Sequence, residues 1–87
     1  MPNGNLPLEM SAGGVKYWIV AAKDRRDETV GVSVLHELPD KVLNEVADVM
    51  YSDEVGDLAV RRFESTVSEQ VVERAMVEAR KVVEPMK

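Results

Sequence analysis

The sequence predicts an α+β fold, a small antiparallel β-meander of two to three strands packed on one face by two to three helices. Three observations carry this expectation. Val67, Val71, Val72, Ala75, Met76, Ala79, Val82 and Val83 fall along one stripe of a helix with a period of about 3.6 residues, which makes 66–83 the main core helix. Residues 29–36 alternate strictly, with Val30, Val32 and Val34 on one side and Gly31, Ser33 and Leu35 on the other. After Pro39, the residues Val42, Leu43, Val46, Val49 and Met50 recur at helical spacing.

Residues 1–14 form an N-terminal tail, and 15–87 a single α+β domain. Within the tail, Leu6, Leu8 and Met10 alternate with Pro7 and Glu9, a candidate edge strand at 6–10 because proline is confined to sheet edges. Gly13 and Gly14 supply the positive φ angles of a tight hairpin turn. The strand at 15–22 follows, with Val15, Tyr17 and Ile19 on one face and Trp18 and Val20 on the other. A charged turn at 23–28 joins it to the alternating strand at 29–36, and so short a connection makes the two antiparallel. Pro39 and Asp40 suit the first turn of a helix at 39–51. Ser52, Asp53 and Glu54 read as a second helix start, with Val55, Leu58, Ala59 and Phe63 at helical spacing over 53–64. Leu58, Val60 and Arg62 also alternate, so a strand at 57–64 is the competing assignment. Thr66 and Glu69 have capping-box spacing at the head of the last helix, and Pro85 stops it.

A chain of 87 residues feeds one hydrophobic core, and 45% hydrophobic residues are enough to build it. The net charge of −5 disfavours phosphate backbones, which bind clustered Lys and Arg, and suits a partner protein with a basic surface. Nucleic-acid binding ranks last among the functions considered and would require Arg61, Arg62, Arg74, Arg80 and Lys81 to gather on one face. The apolar run at 17–22 is too short for a membrane span or signal core, and the chain has no cysteine, so the expected location is the cytoplasm.

Several residues raise a chemical question and resolve to structural roles. His36-Glu37 opens like a zinc-protease motif, but position 40 is Asp where a second His is needed. Asp48, Asp53, Glu54 and Asp57 form an acidic run in which carboxylates with a divalent ion would define a small enzyme or enzyme subunit; the ligand order of a calcium loop is not reproduced there. Asp24, Asp27 and Glu28 read as solvated turn chemistry, and the glycine pair lacks the lysine of a phosphate loop. Pro2 has no rigid support for imine chemistry. Arg25-Arg26 and Arg61-Arg62 are flanked by acid and read as salt-bridged surface. No catalytic residue, metal ligand or cofactor site is assigned.

What remains is Trp18. With Val15, Tyr17 and Ile19 toward the helices, Trp18, Val20 and Leu35 form an outward apolar patch, the signature of an interface. The competing register puts Trp18 in the core. The expectation is a noncatalytic protein–protein interaction module, a small acidic adaptor or regulator that self-associates as a homodimer.

Overall fold

The computed structural model describes residues 6–24, 29–52, 54 and 56–83. They form five strands, β1 (Leu8–Ala12), β2 (Val15–Asp24), β3 (Thr29–Glu37), β4 (Leu43–Ser52) and β5 (Asp57–Arg62), followed by one helix, α1 (Glu69–Val83). The sheet runs β1-β2-β3-β4-β5, so each strand pairs antiparallel with its sequence neighbour. The domain is therefore mostly β, and the expected two to three strands with two to three helices are corrected to five strands and one helix.

The segments expected as helices at 39–51 and 53–64 are instead β4 and β5 with their turns. Local chemistry explains the first error. Pro39 and Asp40 occupy the middle of a turn in which Lys41 N–H donates to Leu38 O at 2.8 Å and Lys41 adopts φ 71°. The central residues of a type I turn share the dihedrals of a helical first turn, so a proline followed by an aspartate announces either. The second cause is a β-bulge: Val34 pairs with Ala47 but Leu35 pairs with Glu45, leaving Val46 as the extra residue. Val46, Ala47 and Val49 are all buried, and Leu43, Val46, Val49 and Met50 mimic helical spacing although they come from both faces of β4.

The Gly13-Gly14 turn is as the sequence implies: φ is 59° and 78° at the two residues between the paired Ala12 and Val15, which defines a type I′ hairpin. Gly31 has a different reason. A Cβ there would lie inside the radius of the Val49 carbonyl oxygen and 2.7 Å from Met50 Cα, so β3 and β4 approach closely only because the side chain is missing.

α1 lies mainly across β3 and β4. Its Val71, Val72, Ala75, Ala79 and Val82 meet Tyr17, Ile19, Val32, Val34, Val46, Ala47 and Val49 in one apolar core. Valine and alanine are short, so helix and sheet sit close, and each fully buried valine stabilises the fold by about 1.5–3 kcal/mol. The helix starts later than its stripe suggests. Ser68 O accepts from the N–H groups of Val71 and Val72, both at 3.1 Å, so Ser68 rather than Thr66 is the cap. Glu69 turns instead to Arg62, whose Nη2 donates to both of its oxygens at 3.0 and 2.9 Å. One buried group on α1 escaped the stripe: Glu78 is 1% exposed, with Oε2 held by Arg74 Nε at 3.0 Å and Lys81 Nζ at 3.4 Å and Oε1 without a hydrogen-bond partner. Among the described residues no helix is long and apolar enough to cross a membrane.

Candidate functional site on the uncovered sheet face

Residues directly opposite one another in an antiparallel sheet share a face. The pairing therefore places Trp18, Val20 and Ala22 of β2, Ser33 and Leu35 of β3, Asp48 and Met50 of β4, and Ala59 and Arg61 of β5 on the face away from α1. Among the described residues no element packs over this face. Trp18 lies opposite Leu35, and Val20, two residues along β2, lies opposite Ser33. The three residues of the apolar patch are thus neighbours, each half-buried by the sheet around it. Tyr17 and Ile19 are buried on the other side.

A polar rim fixes the tryptophan. Its Nε1 donates to Glu37 Oε1 at 3.0 Å, and Glu37 Oε2 lies 3.5 Å from Lys16 Nζ and 3.7 Å from Lys41 Nζ. Lys16 also reaches Glu9 Oε2 at 3.4 Å. The indole N–H is the main influence holding the Glu37 carboxyl below its ordinary 4.5; burial opposes it, and the charges of Lys16 and Lys41 reinforce it. Glu37 in turn, with Glu9, raises Lys16 above 10.5. Because the folded Glu37 value is depressed, its contribution to stability is present above the unfolded value and is lost as pH falls through the folded one. The expected result is a Trp18 fluorescence change below pH 4.5 that disappears in Glu37→Gln, measured by acid titration of both proteins.

At the far side of the face, Arg61 grips Asp48 bidentately, Nε to Oδ1 at 3.0 Å and Nη2 to Oδ2 at 2.5 Å, while its guanidinium lies 5.6 Å over the Phe63 ring. A shallow, open depression of about 310 Å³ lies here, lined by Ala22, Lys23, Ser33, Glu45, Asp48, Met50 and Arg61. Two exposed apolar side chains border the face: Phe63, 50% exposed, lies beside Arg61, and Leu43, 47% exposed, pairs with Glu37 at the tryptophan rim.

No protein-family model matches this chain, and comparisons with curated proteins and with solved structures found no match.

The acidic run does not assemble. Asp48 sits in mid-strand under Arg61, Asp57 opens β5 with its Oδ1 accepting from Leu58 N–H at 2.8 Å, Glu54 is in the turn, and Asp53 lies outside the described residues. Among the described residues no group of three or more His, Asp and Glu could hold a metal ion. His36 stacks obliquely on Tyr17, ring centres 5.8 Å apart. The five cations also part company: Arg61 is on the open face, Arg62 on the α1 face with Glu69, Arg74 and Lys81 on Glu78, and Arg80 is exposed on α1. Pro2, Arg25-Arg26, Asp27, Glu28 and Pro85 lie outside the described residues. The Asp48–Arg61 pair was not foreseen, because reading 39–51 and 53–64 as helices hides which residues share a sheet face. The alternation of Leu58, Val60 and Arg62 was the signal that pointed to it.

Proposed function

We propose that this chain is a noncatalytic protein–protein interaction module, a small acidic cytoplasmic adaptor or regulator that self-associates and offers the open sheet face to a partner protein. The observation that carries the reading is the face itself: Trp18, Val20 and Leu35 are contiguous, held by charged neighbours at the rim, and opposite the side that α1 covers. Aromatic and aliphatic anchors ringed by polar groups are the anatomy of a binding hot spot. The net charge of −5 favours a partner with a basic surface and predicts association that slows as salt is added.

Affinity capture from the native organism with wild type and Trp18→Ser tests this. The expected result is a partner retained by wild type, released by salt, and lost in Trp18→Ser at nearly unchanged melting temperature. A partner retained equally by a folded Trp18→Ser protein overturns the role of the face. A large fall in melting temperature with unchanged binding returns Trp18 to a purely structural role.

A further inference from the structure

The geometry points to the open edge of β5 as the self-association surface, with a second copy of this chain as its occupant, paired antiparallel about a two-fold axis at Ala59. The inference rests on the proposal that the chain self-associates and adds the route.

β5 closes one side of the sheet, and among the described residues no strand lies beyond it. The phase of its backbone is fixed at both ends. Phe63 N–H donates to Val46 O at 2.8 Å, and Gly56 N–H to Ser52 O at 2.7 Å in the hairpin turn. With the register of β4 and β5, this turns the backbone groups of Asp57, Ala59 and Arg61 toward β4 and those of Leu58, Val60 and Arg62 toward the open edge. The Asp57 carboxylate already holds one outward donor, the Leu58 N–H. Unpaired outward groups make such an edge a template for another strand.

The side chains then choose the register. A two-fold axis perpendicular to the sheet keeps both copies of α1 on one side and must pass through a residue of β5. Centred on Arg61, it sets two guanidinium groups face to face. Centred on Val60, it sets Leu58 opposite Arg62, and centred on Leu58, it sets Asp57 opposite Ala59. Centred on Ala59, it places Asp57 opposite Arg61 of the second copy, and the reverse, with Leu58 opposite Val60 on the α1 side. This is the one arrangement of the four in which every pair is matched, charge with opposite charge and apolar with apolar. Leu58 and Val60 exchange backbone hydrogen bonds with the second copy, the Asp57 carboxylate passes from the Leu58 N–H to the incoming Arg61, and the small Ala59 lies on the axis. The charge pair falls at a non-hydrogen-bonded site, where side chains are closer. Arg61 keeps its grip on Asp48 from the other direction.

β1, the other edge, offers less. A two-fold pairing about Met10 would set Leu8 opposite Ala12 and Glu9 opposite Ser11, with no complementary charges, and Glu9 is already bound to Lys16. Joined through β5, the two open faces lie side by side, so Trp18 of each copy belongs to one doubled platform.

The chain has no cysteine, which makes a single-cysteine test clean. Cα atoms facing each other at a non-hydrogen-bonded site lie about 4.5 Å apart, within disulfide range. Ala59→Cys is therefore expected to give a covalent dimer under mild oxidation, and Asp57→Cys, displaced from the axis, to give little. Asp57→Arg, which faces Arg61 with like charge, is expected to weaken dimerisation in sedimentation equilibrium about tenfold or more while leaving the folded spectrum intact. A wild-type dimer in which Ala59→Cys does not cross-link and Asp57→Arg has no effect overturns the edge and leaves self-association standing. Faster cross-linking of Asp57→Cys overturns the register. A wild-type protein that stays monomeric at the highest concentrations overturns self-association itself.

Discussion

Gly31→Ala will abolish or severely weaken the fold. The added methyl meets backbone, the Val49 carbonyl oxygen and Met50 Cα, and no rotamer change relieves it. The strands must separate, which breaks the β3–β4 ladder at the centre of the sheet. Overpacking costs about 1–3 kcal/mol where side chains can shift. Against fixed backbone, a cost at or above that upper figure is expected, out of a total stability of about 4–13 kcal/mol for a chain this long. Urea denaturation followed by circular dichroism checks it, with Gly14→Ala as the comparison. Gly14 has nothing within 4 Å of an added Cβ and only its φ of 78° to defend, which costs about 1–2 kcal/mol. If Gly31→Ala costs no more than Gly14→Ala, the close approach is not real.

Arg74→Met will cost more stability than Glu78→Leu. Glu78 is buried in the flank of α1, and one of its oxygens has no hydrogen-bond partner. A buried ion pair is weak as a net stabiliser, because desolvation offsets most of the attraction, yet removing one partner strands the other charge. Arg74→Met keeps the aliphatic stem and removes the guanidinium. Lys81 remains 3.4 Å away, and both cations are roughly half exposed, so the full penalty is reduced to about 2 kcal/mol. Glu78→Leu removes the charge together with its need for partners and is expected to be neutral or stabilising by about 1–2 kcal/mol. Thermal melts of the two variants and wild type decide it. A Glu78→Leu protein less stable than Arg74→Met shows that the carboxylate is a net asset to the fold.

What was legible in the sequence was whatever rested on unbroken periodicity. The alternation of 29–36 and the valine stripe of the last helix correspond to β3 and α1, because each turns one unbroken face to the shared core. The pair Gly13-Gly14 announced its hairpin because few other residues accept two positive φ angles in succession. β4 was hidden by the bulge at Val46, which slips the face by one residue and leaves three buried apolar positions at 46, 47 and 49. β5 is an edge strand whose side chains are only partly covered, so its alternation competed with an equally good helical spacing. At the candidate site, the shared face of Trp18 and Val20 is legible because it depends on the alternation of β2 alone. The Asp48–Arg61 pair depends on which strands adjoin, and adjacency is a property of topology rather than of local pattern. Glu78 was missed because a carboxylate between Ala75 and Ala79 looks like the polar border of a stripe.

The meander has a consequence for the order in which the domain is made. Strand pairs form between sequence neighbours, so every step up to β5 closes only a short loop and costs little chain entropy. The element that shields Ile19, Val32, Val34 and Val49 follows all five described strands. During synthesis a finished sheet therefore waits, its valine side bare, until residues 69–83 emerge. In that interval the nascent sheet is exposed to aggregation and to chaperones, and the docking of α1 ends the exposure.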